Sequence, residues 1–585
     1  MPLTPSLSVS KLALGLVSLA AFPAAWVLVH LLMANKQWCF SDFCVESMGS
    51  RRVPVRSSLV VFYCFLLFTG LVAIASKHLP AFRSLLARRV HSRNTLTVAE
   101  VSWFALVLLV SLVAVPAMIW SPYWNMWASM VANMSSGSSS SGHNHGAAMQ
   151  ATNWPWIRIV HQNLILVSGD SLSLLLGFVI LPVSKNSFLA DFFDLPYNST
   201  MRMHMWLGFT IFWWSMFHLV VTMLAYSVEA TPILELFFKW PANATWGNMS
   251  FLYITGVVSF VFLAVVVVTS LSYVRRKAYN LFYLTHFLIF VSILFAYLHA
   301  SMCIFYMIPG LCMYAIDGTM RLASRFSPSY IQAVTVEECG LLSVTVSTKA
   351  AAAARPGQFM RVNVPSVSKL EFHPWSIVKS GKDAVSFLFA PHSSSEKEWS
   401  SRVAAAVKDG AALNTVVHLQ GPFGKEMALL KDADGMDAVV FYVAGTGIAA
   451  CIAAVDELLE TATSSVPAIH VFWSTRNTNM SSLSWVQKWL AEKASKNVNV
   501  VMFQTCDEQA WLMADTQSAA LNHHRPELKS LLTKHVVLKE FGSMEVGVFV
   551  CGPERFVRDA LESVDTFTRQ RKGVRVTVEV ESYDL

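Results

Sequence analysis

The chain has 585 residues, of which 54% are hydrophobic and only 14% charged, with a mean hydropathy of +0.47. A soluble protein of this length carries about a quarter charged residues, so a single soluble domain and a disordered chain are excluded. Nine cysteines are too few for a disulfide scaffold. The net charge of +7 comes with no basic stripe interleaved with aromatic residues, so it points to no nucleic-acid partner and fits the positive-inside bias of a membrane protein.

The shortfall in charge is uneven. Long apolar runs dominate up to about residue 322; beyond it charged residues and short alternating patterns return. That predicts a multi-domain membrane protein, an all-α bundle followed by a soluble region long enough for two modest domains. Eight runs are long enough to span a bilayer, near 12–33, 57–76, 98–120, 158–181, 203–226, 251–272, 279–300 and 302–322. The last two are nearly continuous and must form a tight hairpin. The first is too long for the apolar part of a signal peptide and has only Lys11 before it, so it is read as a retained span.

With both termini in the cytosol, the inner segments hold eleven Lys and Arg residues and the outer loops five, which is the sense the positive-inside rule requires. Sequons at Asn133, Asn243 and Asn248 then fall in outer loops, and the one at Asn198 falls inside. Cys39 and Cys44 share an outer loop, either as a small disulfide or as two free thiols.

Of the seventeen histidines, His204 and His218 lie in the fifth span and His286 and His299 in the seventh. Ionisable side chains inside a span are costly and mark function, although a single one is commonly a packing histidine. Fourteen residues separate the first pair and thirteen the second, rises of about 21 and 19.5 Å. Neither helix can supply two ligands to one metal at that spacing. Two centres fit, each bridged by one histidine from each helix, as in two b-type haems with bis-imidazole ligation. No C-x-x-C-H occurs, which excludes covalent c-type haem. Fourteen residues come within about 40° of whole turns, but thirteen miss by about 140°. The seventh helix must therefore be overwound, kinked or ring-rotated, and the spacing alone leaves the haem and packing readings both open. Because both spans run outward, His204 would face His286 near the cytosol and His218 would face His299 near the outer surface.

Asp170 sits in mid-span beside Ser168, Ser171 and Ser173, either bonded to a cofactor or neighbour or, the favoured reading, part of a polar seam. The low-complexity segment 133–149 carries His143, His145 and Met149, as a flexible spacer or a metal-collecting loop.

In the soluble region, strand-like runs near 330–347, 359–365, 384–389 and 414–420 predict a small antiparallel barrel that includes His373-Pro374-Trp375-Ser376-Ile377. Near 438 a buried strand, DAVVFYVA, leads into Gly445-Thr446-Gly447 and an apolar helix. Strand, glycine turn and helix make a nucleotide pyrophosphate site, because glycine allows close backbone approach and the helix start supplies donors. The next strand, AIHVFWSTR, ends in Arg476, either a partner for the 2′-phosphate of NADPH or an ordinary surface arginine. VGVFV then ends in Cys551-Gly552-Pro553-Glu554 at the same sheet edge.

Together these stretches resemble the ferric reductase and NADPH oxidase superfamily over nearly the whole chain, above all plant-type ferric-chelate reductases. The likeness rests on LPVSKNSFL, MHMWLGFTIFWWSMFH, FYLTHFLIFVSILFAYLH, RVNVPSVSKLEFHPWSIV, QGPFG and CGPERF. It implies that His204 and His286 ligate an inner haem b and His218 and His299 an outer one. It implies FAD at His373, Pro374, Trp375 and Ser376. A flavin-phosphate motif, G-x-W-[TS] in the family, is partly matched by Lys397-Glu398-Trp399-Ser400, which carries over Trp399 and Ser400. The glycine turn matches Gly445, Thr446 and Gly447, with Ala450 where the family has proline. Cys551, Gly552 and Pro553 match the nicotinamide-side motif, and Glu581-Ser582-Tyr583 resembles the terminal acid and aromatic covering the flavin, so Cys551 and Tyr583 are the expected catalytic residues.

The implied domains are a two-helix extension (1–97), a six-helix di-haem domain (98–322), an FAD-binding β-barrel (323–432) and an NADPH-binding α/β domain (433–585), the last two forming a ferredoxin-NADP reductase-like module. The implied activity is electron transfer from cytosolic NADPH through FAD and two haems to extracytoplasmic Fe(III), free or chelated, for iron uptake. The expected setting is the plasma membrane, beside a ferrous iron transporter. Cu(II) and O2 are the rival acceptors. The oxidases carry a further histidine four residues after the outer ligand of the earlier helix, where this chain has Thr222.

Overall fold

The computed structural model describes residues 52–90, 95–135, 155–184, 197–228, 252–300 and 302–324. From 327 to 582 it describes all but a set of loop segments, the longest being 476–488 and 505–519. The span at 12–33, Cys39, Cys44, His143, His145, Met149, Asn243, Asn248, Lys397, Arg476 and Tyr583 lie outside the described residues. The chain divides into two compact units, a helical one within the first 317 residues and a mixed one built mainly from Gly318–Leu585.

In the helical unit, α1 (Arg52–His78) covers the run at 57–76. Helix α2 (Val98–Leu109) passes through a π-turn at Val110–Ala114 into α3 (Val115–Ser135). Pro116 has no N–H for the ladder, and the chain absorbs the gap by an i→i−5 bond from Val115 to Val110. Because α3 continues to Ser135, Asn133 lies on its last turn and not in a loop, a correction to the span end at 120.

Next come α4 (Pro155–Ile180), α5 (Tyr197–Val228), α6 (Leu252–Thr269), α7 (Tyr279–His286), α8 (Leu288–His299) and α9 (Cys303–Ala323). Among the described residues, five helical stretches are long and apolar enough to cross a membrane: Val98–Ala132, Trp156–Val183, Asn198–Ser227, Tyr279–His299 and Cys303–Ala323. The apolar helices at Ser57–Val72 and Tyr253–Thr269 are shorter.

The packed part of this unit centres on Phe62, Trp103, Phe178 and Tyr306. Small residues let its helices close up. A Cβ on Gly177 would stand 2.7 Å from the Tyr306 carbonyl, and one on Gly310 2.8 Å from Ile180. Arg202 on α5 reaches the fully buried Glu100 on α2 at 3.2 Å. Helices α6 and α8 are joined by a reciprocal pair, Ser259 Oγ to the Ser292 carbonyl and Ser292 Oγ to the Ser259 carbonyl, both 2.9 Å.

The second unit opens with six antiparallel strands: β1 (Ser329–Val336), β2 (Leu342–Ser347), β3 (Phe359–Asn363), β4 (His373–Ser380), β5 (Ala384–Phe389) and β6 (Val416–Phe423). They close into a barrel in the order β1-β2-β5-β4-β3-β6. Helix α10 (Trp399–Lys408) covers the barrel core with Trp399, Val403 and Val407, one face at i, i+4, i+8.

A parallel sheet follows: β7 (Ala438–Ala444), β8 (Ala468–Thr475), β9 (Val498–Gln504), β10 (Ala520–Asn522), β11 (Met544–Gly552) and β12 (Val574–Ser582). Its order is β10-β9-β8-β7-β11-β12. Helix α11 (Ile448–Thr461) follows β7, and α12 (Glu554–Gln570) follows β11. The order reverses between β7 and β11, which opens a crevice beyond their carboxyl ends where ligands bind in such sheets.

Candidate functional site

The helical unit brings the four histidines together in two pairs. The rings of His204 and His286 have centroids 6.2 Å apart, and so do those of His218 and His299, with planes at 72° and 80°. An iron about 2.0 Å from each of two imidazole nitrogens sets the centroids about 6.3 Å apart, so both gaps fit bis-imidazole haem ligation.

Hydrogen bonds at Nδ1 agree with that use. His204 Nδ1–H donates to the Val179 carbonyl at 2.9 Å. Ser168 gives its own proton to the Ile165 carbonyl and so accepts from His218 Nδ1–H at 2.8 Å. Ser270 gives its proton to the Val266 carbonyl and accepts from His286 Nδ1–H at 3.5 Å. The carbonyl at His204 puts the ring proton on Nδ1 and leaves Nε2 a lone pair for a metal, and the serines at His218 and His286 can accept from the same tautomer. The His299 ring packs closely on Gly256, where a Cβ would stand 2.8 Å from its Nδ1.

The spacing problem of the seventh span is met by a break at Phe287. The Phe287 N–H bonds Leu284, and the Phe290 N–H bonds Phe287, both three residues back. A three-residue turn advances each residue about 20° further than an α-helix, and separating α7 from α8 re-aims His299. Asp170 accepts a 2.6 Å hydrogen bond from Tyr123 of α3. The seam predicted around it is thus partial: Ser171 and Ser173 turn back onto their own helix, while Ser168 holds His218.

In the barrel, alternation along β4 splits the HPWS motif between two faces. Trp375 turns into the core, stacked on Phe389 with centroids 4.3 Å apart. Trp399 is also interior, its ring 4.0 Å from that of His373, and its Nε1–H has no hydrogen-bond partner among the described residues. These two indoles shape the site from within. Pro374 and Ser376 lie on the other face, where Arg361 is the cross-strand neighbour of Pro374. Arg361 bonds the Phe372 carbonyl at 3.1 Å and Gln420 Oε1 at 3.3 Å, bringing a cation to the motif that the pattern had not singled out. Ser400 stands in the first turn of α10, half-buried.

In the parallel sheet, the turn Gly445–Gly447 lies between β7 and α11. Gly445 has φ +54°, which glycine adopts without strain. The indole of Trp473, on β8, donates to the Gly445 carbonyl at 3.0 Å and pins the turn. Thr446 is half-buried, and Ala450 is a buried residue of α11 that continues the helix without strain. Cys551 pairs with Val443 on one side and Glu581 on the other, at the reversal point. Its thiol is buried and donates to Glu581 Oε2 at 3.9 Å. Burial pushes the Glu581 carboxyl up to about 8, with the charge of Glu579 adding and the Cys551 bond opposing. Gly552 is a close approach: a Cβ there would stand 2.7 Å from Phe556 and 3.0 Å from Ala444. Pro553 is exposed as the N-cap of α12.

A helical membrane component followed by a flavin-type barrel and a doubly wound nucleotide sheet defines a membrane protein with a ferredoxin-reductase-type module. Three family models match it in succession: a ferric reductase like transmembrane component over 169–297, an FAD-binding domain over 327–427 and a ferric reductase NAD binding domain over 436–565. The chain belongs to the ferric reductase and NADPH oxidase superfamily, on its plant side. It is 25% identical over 348 residues to Ferric reduction oxidase 2 of Arabidopsis thaliana, a match covering 57% of this chain and 46% of that one. It is 24% identical over 258 residues to that plant's Ferric reduction oxidase 8, mitochondrial, covering 43% of this chain and 34% of the relative. The chain thus spans less than half the length of these relatives. A ferredoxin NADP+ reductase from Neisseria gonorrhoeae, solved with FAD and NADP, is similar over 43% of this chain and 98% of its own, at 15% identity and a TM-score of 0.33.

Proposed function

We propose that the protein is a transmembrane ferric-chelate reductase, driven by cytosolic NADPH and serving iron uptake across the plasma membrane. When bound, FAD takes a hydride from NADPH and two haems b carry the electrons singly across the bundle to Fe(III). His204 and His286 hold one haem, and His218 and His299 the other. Pro374, Ser376 and Arg361 present the barrel face that receives the flavin, and Ser400 with the first N–H groups of α10 receives its phosphate. Gly445, Thr446 and Gly447 admit the nicotinamide nucleotide's pyrophosphate, and Arg476 reads its 2′-phosphate. Gly552 and Pro553 form the nicotinamide edge with Cys551 behind them, and Tyr583 is the second catalytic residue of the proposal.

The observation that carries this reading is the pair of equal 6.2 Å histidine gaps on the same two spans. Thr222 favours a metal over O2. Its hydroxyl donates to the His218 carbonyl at 2.7 Å on its own helix and is spent there, where the oxidases offer a histidine. The deciding experiment is NADPH-driven reduction of an Fe(III) chelate by the purified protein, with Cu(II) reduction and superoxide followed in parallel. Rapid superoxide without iron reduction overturns the proposal.

A further inference from the structure

Beyond the His218–His299 pair, at the same end of the helical unit, two phenols meet. Tyr226 lies eight residues past His218 on α5, about 12 Å along the helix. Tyr253 lies three residues before Gly256 on α6, about 4.5 Å along it. Gly256 is the residue packed against the His299 ring. The two hydroxyls are hydrogen-bonded to each other, and the rings meet edge to face with centroids 5.4 Å apart. Both side chains are half-buried and stand at the last turn of one helix and the first of the other. Helical side chains lean toward the amino terminus, so Tyr226 leans back along α5 toward the histidine pair.

We propose that Tyr226 and Tyr253 form the docking site for the ferric substrate, ligating Fe(III) through their two phenolate oxygens. The inference rests on the ferric reductase reading and names how that acceptor is held. Phenolate is a hard, anionic oxygen donor of the kind ferric iron takes, and a bound cation displaces the proton of an acidic ligand. Two oxygens already at hydrogen-bond separation need only give up their two hydroxyl protons to turn toward one ion. Among the described residues no group of three or more His, Cys, Asp or Glu forms a metal site, so a bound ferric ion keeps part of its chelator as remaining ligands.

The step balances. Binding breaks two O–H bonds, forms two Fe–O bonds and releases two protons to water. One electron from the proposed relay converts Fe(III) to Fe(II). The softer, less charged ion holds phenolate poorly, so both phenolates recover protons from water and Fe(II) leaves. Reduction itself discharges the product.

The first test needs no electron flow. Full-length, haem-loaded protein is titrated with Ga(III) citrate, a redox-inert ion of ferric charge and size. The expected result is an ultraviolet difference band of phenolate, lost in the Tyr226→Phe/Tyr253→Phe double variant. No band in the wild type at saturating Ga(III) overturns the proposal. The second test compares acceptors. The double variant should lower kcat/KM for ferric citrate relative to that for ferricyanide, which needs no vacant ligand site, by about tenfold. Equal losses for both acceptors together with a shifted haem midpoint would assign the phenols to a haem carboxylate and overturn it. Failure of the parent reading would show separately, as no NADPH-driven reduction of either acceptor by the wild type.

Discussion

The helical unit and the parallel sheet build their sites in opposite ways. In the bundle, every candidate ligand is a side chain that crosses between helices, held by a second group on a third segment: Val179, Ser168, Ser270 or Gly256. In the sheet, the site is mostly backbone, the turn Gly445–Gly447 and the edge at Gly552, and the side chains nearby serve to pin it. Losing one side chain should therefore be severe in the bundle, whereas in the sheet the damage should come from changing what the backbone can do.

His218→Ala should break the contrast most sharply. It should abolish one haem signal and cut NADPH-driven Fe(III) reduction by about 100-fold or more, while NADPH still reduces the flavin. Iron reduction at the wild-type rate in that variant would refute the relay. Gly256→Ala comes next: its Cβ would stand 2.8 Å from His299 Nδ1, so the ring must move and the same haem signal should weaken. Gly169→Ala, whose Cβ would be 3.4 Å from the His218 ring, should leave the spectrum nearly unchanged.

The supporting hydroxyls sharpen the point. Ser168→Ala removes a 2.8 Å bond and Ser270→Ala a 3.5 Å one. Losses of such support cost about 10–100-fold in metal affinity, so haem retention should fall in the first variant and much less in the second. In the sheet, Gly445→Ala forces a side chain onto φ +54° and should cost about 1 kcal/mol of stability with a raised KM for NADPH. Thr446→Ala should change either quantity less.

A further effect concerns pH. Because Glu581 titrates at about 8 instead of 4.5, the folded chain holds its proton more tightly than the unfolded one. The stability this contributes is full below pH 4.5 and is lost as pH rises to about 8. Glu581→Gln should flatten that slope in thermal unfolding measured from about pH 5 to about 8; a slope equal to wild type would place the titration elsewhere.

Much of this was legible in the chain. The histidine spacings, the glycine turn after a buried strand and the barrel strands are local patterns with fixed periods, and those survive folding. What closes the sites is not local. The partner of His204 is a backbone carbonyl, which any residue at position 179 would supply. Trp473 reaches Gly445 from the neighbouring strand, twenty-eight residues along the chain. Arg361 reaches the HPWS motif through a register that only the paired strands define. The inward turn of Trp375 did carry a signal: on a strand, Pro374 and Ser376 share a face that Trp375 cannot. Thirteen residues between His286 and His299 looked wrong for an ideal helix, and the break at Phe287 shows that the helix was not ideal.

The reciprocal serine bonds between α6 and α8 have a consequence for speed. Sliding one helix along the other would tear two hydroxyl–carbonyl bonds with no water to replace them, and the bilayer makes that costly. Ser292 lies between His286 and His299, and α6 carries Gly256 and leads into Ser270, which support the two histidine pairs. The serines therefore act as a fixed ruler. In the proposed relay, tunnelling between carriers would weaken exponentially with their gap, so these two modest hydroxyls would set the tempo at which charge could cross.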